Sequence, residues 1–174
     1  MIQPQRIRIV NSASIQWPGR RQVTRQCGST RGTRSHDVGV EEPIQPAAAH
    51  LLIAEDEQEM RRFLVESFRD EGYRVTEAEN GEELRQLLSE AGRSPGASGP
   101  DILVSDIRLP GFTGLELLAD LRKSDWVLPV ILITAFGDES VHHEGTRLGA
   151  AMVLDKPFDV EVLVDAVKSL VPAG

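Results

Sequence analysis

Four polar groups interrupt the ends of four apolar runs, and their types suggest one chemistry. Glu55 and Asp56 follow LLIA, Asp106 follows ILVS, Thr134 follows VILI, and Asp155-Lys156-Pro157 follows AMVL. Carboxylates brought together without a cation repel and raise one another's pKa, so a bound cation is the simpler arrangement for Glu55, Asp56 and Asp106. Magnesium suits such a set: it takes oxygen ligands, keeps several waters and commonly sits between one or two carboxylates and a phosphate. A nearby hydroxyl and ammonium could then hold phosphoryl oxygens, Thr134 by hydrogen bonding and Lys156 by charge. Each piece alone has an ordinary alternative, because an Asp at a strand end caps helices, a Thr closes turns and a Lys-Pro pair suits a solvated loop. What argues for a site is their conjunction, each on its own strand end.

The elements that must position these groups are legible from hydrophobic period. Strands are expected at Leu51 to Ala54, Tyr73 to Thr76, Ile102 to Ser105, Val130 to Ile133 and Ala151 to Leu154. Four are almost wholly apolar, as strands covered on both faces are, whereas Tyr73-Arg74-Val75-Thr76 alternates like an edge. Helical periods lie between them: Met60, Phe63, Leu64 and Phe68; Leu84, Leu87 and Leu88; Leu115 and Leu118; Val160, Leu163, Val164, Val167 and Leu170. A weaker helix is expected over 138 to 148, with Val141 and Leu148 facing the core and Gly145 inside it. Alternating strands and helices predict an α/β fold, a five-stranded parallel sheet with helices on both faces. Ligands in such sheets bind beyond the carboxyl ends of the strands, where all these polar groups stand. The Gly-, Ser- and Pro-rich link 91 to 100 is expected to be a mobile loop away from the chemistry.

Charge divides the chain. Residues 1 to 47 carry seven arginines against Asp37, Glu41 and Glu42, a net +4, which leaves −12 on the remainder of a chain whose total is −8. The segment has no sustained period and is rich in Gly, Ser, Thr and Gln, so it is expected to be a disordered basic extension, or the product of a start assigned too far upstream. Its arginines are dispersed with Trp17 as their one large aromatic companion, so nucleic acid is not the expected partner. No run of eighteen apolar residues and no apolar leader occurs, and Cys27 alone can form neither an internal disulfide nor a zinc site. A cytoplasmic protein without membrane contact is expected.

The stretches LLIAEDE, LVSDIRLPGFTGLELL, VILITAFG and DKPFD together resemble the receiver domain of bacterial two-component response regulators, over roughly residues 48 to 171 of the body 48 to 174. The resemblance implies the flavodoxin-like strand order 2-1-3-4-5. It implies that Asp106 accepts a phosphoryl group from a phosphohistidine of a sensor histidine kinase, giving an aspartyl phosphate. It further implies Mg2+ held by Asp56 directly, by Glu55 through water, by Asp106 and by the backbone carbonyl of Arg108. Thr134 matches the family's switch hydroxyl, Lys156 its phosphoryl-pairing lysine, and Pro157 its usual cis-proline.

Three departures accompany the match. Val153 stands at the switch position where the family usually has an aromatic. Glu55 replaces the commoner Asp. Arg108 and Phe136 are bulky at positions flanking the attacking water, which implies slow loss of phosphate.

His142 and His143 suggest a phosphohistidine, but on a single helix of an acidic domain they are expected instead to form a solvated or partner-facing surface. Because the sequence stops at Gly174, the expected function is that of a single-domain phosphoacceptor, not an enzyme beyond its own phosphorylation and dephosphorylation. Its output would be phosphorylation-dependent binding of a downstream protein not identifiable from sequence. The alternative is a phosphorelay intermediate that hands its phosphate to a histidine phosphotransfer protein. Homodimer formation on phosphorylation is left open.

Overall fold

The computed structural model describes residues 8–9, 48–93, 99–123, 127–135, 137 and 139–174. Five parallel strands, His50–Ala54 (β2), Arg74–Ala78 (β3), Ile102–Asp106 (β4), Val130–Thr134 (β5) and Met152–Asp155 (β6), follow a two-residue strand, Arg8–Ile9 (β1). The sheet order is β1-β6-β5-β4-β2-β3, so the five parallel strands, counted along the body, take the expected order 2-1-3-4-5. The alternating strand, β3, is at one edge, with its first four residues exposed or half-buried.

Side-chain alternation along each strand builds two cores, one on each face of the sheet. Leu51, Ile53, Ile102, Val104, Ile131 and Ile133 meet helices Gln58–Asp70 (α1) and Val160–Leu170 (α5). On the other face, Leu52, Leu103, Val130 and Leu132 meet Gly81–Arg93 (α2) and Gly114–Lys123 (α3), with Val141 and Leu148 of the segment around Glu139–Arg147 (α4) packed at its margin. α5 is capped at its N-terminus by Asp159, whose carboxylate accepts from Glu161 N at 3.1 Å and satisfies one of the helix's orphan N–H groups.

Several expectations shift by a residue or more. The buried stripe of α1 is Leu64, Val65 and Phe68, while Phe63 is 50% exposed, because 61, 64, 65 and 68 share a face that 63 leaves. In α3 the buried face includes Leu117, Leu118 and Leu121, with Leu115 only partly covered. His142 is buried at 8% exposure, not on the expected surface, since its side chain turns toward β6; His143 is exposed. The sheet also has the sixth strand that local period could not show: Arg8 and Ile9 pair antiparallel with Val153 and Met152. The remainder of the 1–47 extension lies outside the described residues, as do 94–98 of the expected mobile loop and Phe136.

Parallel register brings the strand ends to one rim. Asp106 pairs with Ile133 and Thr134 with Asp155, while Ala54 pairs with Ser105. The chain leaves β2 toward β3 on one side and returns to β4 on the other, so the crevice where connections diverge opens between Glu55-Asp56 and Asp106.

Candidate functional site

Glu55, Asp56 and Asp106 converge at that crevice: one oxygen from each lies within 4.8 Å of the others. Glu55 and Asp106 are 1% and 5% exposed, whereas Asp56 faces solvent. Two nearly buried carboxylates require compensation. Lys156 supplies it, with Nζ donating to Asp106 Oδ2 at 2.6 Å and to Glu55 Oε2 and Oε1 at 2.7 and 2.9 Å. The other oxygen of Asp106, Oδ1, accepts from the backbone N–H of Arg108 at 2.7 Å. Lys156 is held in turn by its own backbone N–H, which donates to Thr134 O at 2.7 Å, and the bond from Lys156 to Pro157 is cis. Thr134 is buried at the end of β5, beside this loop.

Burial pushes the Glu55 carboxyl above the usual carboxylate range; the hydrogen bonds and charge of Lys156 pull the other way, and the neighbouring Asp106 adds to the rise. For Lys156, burial favours the neutral amine, but its bonds to Asp106 and Glu55 prevail and hold the ammonium above its ordinary value. The trio therefore carries a charged lysine between two acids, one of which resists ionisation. Hard oxygen donors of this number, with one carboxylate open to water, fit a magnesium ion better than a softer metal, which would want sulfur or nitrogen.

One residue of the site escaped the sequence reading. Arg61, on α1, donates from Nη1 to the carbonyls of Glu55 at 2.8 Å and Asp56 at 3.4 Å, and it pairs with Glu77 and Glu79 on the β3 side. It thereby fixes the loop that carries both acids. A signal existed: Arg61 stands three, four and seven residues before Leu64, Val65 and Phe68, so a charge lies on the apolar stripe of its helix.

Comparison with known proteins agrees with this geometry. Residues 51–168 match the family model of the response regulator receiver domain. The chain belongs to that family. Over 122 residues the receiver is 33% identical to sporulation initiation phosphotransferase F of Bacillus subtilis, an alignment covering 70% of this chain and 93% of that protein. It is 32% identical over 124 residues to the response regulator receiver protein CpdR of Brucella abortus, covering 71% and 98%. Other relatives are longer: the receiver spans 24% of the DNA-binding transcriptional regulator NtrC of Escherichia coli, at 33% identity over 118 residues, which is 68% of this chain. Among solved structures, the chemotaxis protein CheY4 of Vibrio cholerae superposes with a TM-score of 0.61 at 27% identity, covering 72% of this chain and all of that one. Receivers are phosphoacceptor signalling domains that work with histidine kinases. Among the described residues, no helix is long and apolar enough to cross a membrane.

Proposed function

We propose that this receiver takes a phosphoryl group on Asp106 from a phosphohistidine of a sensor kinase and signals by binding another protein in the phosphorylated state. The observation that carries this reading is the placement of Asp106. It is buried at the crevice, tethered through Oδ1 to Arg108 N and through Oδ2 to Lys156, with two further acids within 4.8 Å.

An oxygen of Asp106 attacks phosphorus, the P–N bond breaks, and the imidazole leaves with that electron pair, its ring nitrogen having taken a proton. Asp56, Asp106 and the carbonyl of Arg108 would hold Mg2+, with Glu55 reaching it through water; when bound, the ion neutralises the carboxylates and the incoming phosphoryl oxygens. The complex of CheX, CheY, BeF3 and Mg2+ from Borrelia burgdorferi, a solved structure to which this fold is similar (TM-score 0.63, 26% identity, covering 70% of this chain and 88% of that one), supports that ion in a fold of this kind. Lys156 would exchange part of its bond to Asp106 for a phosphoryl oxygen, and Thr134 would turn its hydroxyl toward the same group.

A second reading has its own support. The relative named a phosphotransferase favours a relay role, in which Asp106 hands its phosphate to a histidine of a downstream protein. Incubation of the labelled receiver with a cognate histidine phosphotransfer domain separates the two: loss of phosphate to the partner means relay, and stable co-purification without transfer means binding. For the shared step, the test is intact mass after acetyl phosphate treatment. A gain of one phosphate with Mg2+, absent with EDTA and absent in Asp106→Asn, is expected; a gain in the variant refutes the acceptor.

A further inference from the structure

His142 reaches from α4 to the rim of the site. Its Nε2 is 2.8 Å from Asp155 Oδ1. Asp155 closes β6, pairs in register with Thr134 across the sheet, and precedes Lys156, whose N–H donates to Thr134 O. Its backbone thus lies between the two residues that would grip a phosphoryl group, while its carboxylate points away from them to a helix.

That contact is tight on the side of the loop that leads into α4. Gly137, in the turn from β5 to α4, passes so near that a Cβ there would collide with Asp155 Oδ1 and lie 2.8 Å from His142 Nε2. Further along α4, a Cβ on Gly145 would stand 2.7 Å from Val153 Cγ2, so the helix backbone rests directly on β6. Val153 is itself buried and packed there. A nine-residue helix containing a glycine has little stability of its own, so its seat depends on the contacts it makes. Near the site, one such contact is the hydrogen bond from His142 to Asp155.

We propose that the His142–Asp155 hydrogen bond links the state of Asp106 to the position of α4, with His142 as a positioning residue. The proposal rests on Asp106 being the acceptor. A phosphoryl group that draws in Thr134 and Lys156 displaces the backbone of Asp155, which precedes Lys156 and pairs in register with Thr134. The Asp155 carboxylate moves with that backbone, and His142 must follow it or release it. In either case α4 is reseated, and its exposed face is altered for a partner.

The test is hydrogen–deuterium exchange over residues 139–147 of the full chain, with and without acetyl phosphate and Mg2+, with phosphate gain read by intact mass in the same samples. The native chain is expected to gain phosphate and to change its exchange there by roughly fivefold or more. His142→Leu and Asp155→Ala are expected to gain phosphate within about threefold of the native rate while their exchange no longer responds, and His142→Gln, which keeps a donor, to retain most of the response. If His142→Leu does not fold, Asp155→Ala decides, since that side chain is 37% exposed and leaves the core filled. A native-sized response in His142→Leu or Asp155→Ala overturns the link. So does loss of the response in His142→Gln, which would reduce the histidine to filling space, and so does phosphate gain without any response in the native chain. Absence of phosphate gain in the native chain overturns the acceptor assignment, and the link with it.

Discussion

The ammonium of Lys156 is 2.6 Å from Asp106 Oδ2, nearer than to either oxygen of Glu55, so the lysine of one strand end neutralises the buried carboxylate of another. Lys156 thus compensates both buried carboxylates, and removing one member exposes the rest to one another.

Lys156→Met leaves Glu55 and Asp106 buried without their cation. Without metal, this variant is expected to lose about 3 kcal/mol of stability, the order of a broken buried pair. Added Mg2+ should restore part of the loss by replacing the missing charge among the same carboxylates. Urea unfolding in EDTA and in Mg2+ measures both, and equal destabilisation in the two conditions would contradict the shared role.

The raised Glu55 carboxyl sets a sign for pH dependence in EDTA. Its folded form binds a proton more tightly than the unfolded chain does, so its contribution to stability is fully present below the ordinary value of 4.5 and is lost as pH rises through the higher folded value. Glu55→Gln removes this term. The difference in unfolding free energy between variant and native chain is expected to shift in the variant's favour as pH rises from about 4 toward neutrality. A difference that does not change with pH would remove the burial argument.

Arg61→Met keeps much of the side-chain volume but frees the carbonyls of Glu55 and Asp56. Groups that orient metal ligands typically matter by tenfold or more, so Mg2+ affinity, followed by titration calorimetry, is expected to fall about tenfold with the fold retained. Unchanged affinity would mean that the loop holds itself.

Most of the fold was legible because strands buried on both faces appear as continuous apolar runs, and the site was legible because its acids break those runs at their ends. Arg61 and His142 were not, for a common reason: hydrophobic period records apolar positions, so a polar residue on a buried stripe registers as a gap in the pattern. Their partners, the Glu55 carbonyl and Glu77 for Arg61 and Asp155 for His142, lie on other elements, which no local spacing announces. β1 was missed because a two-residue strand owes its existence to the free edge of β6 and not to any period of its own.

Arg108 carries the remaining expectation about rates. Its backbone N–H is bound to Asp106, and its long, exposed side chain starts beside that carboxylate, where it would obstruct a water attacking an acyl phosphate there. The acyl phosphate is expected to last minutes or longer with Mg2+, and Arg108→Ala to shorten that lifetime by roughly threefold or more. Decay within seconds in the native chain would refute this shielding.

The most direct test of the central claim is to trap the acyl phosphate chemically. After acetyl phosphate and Mg2+ treatment, borohydride reduction converts a phosphorylated aspartate to homoserine, and peptide sequencing by mass spectrometry locates it. Homoserine at position 106, and its absence when Mg2+ is withheld, is the result expected. Homoserine at Asp56 or elsewhere with Asp106 intact, or none in a protein that has gained phosphate, would contradict the account.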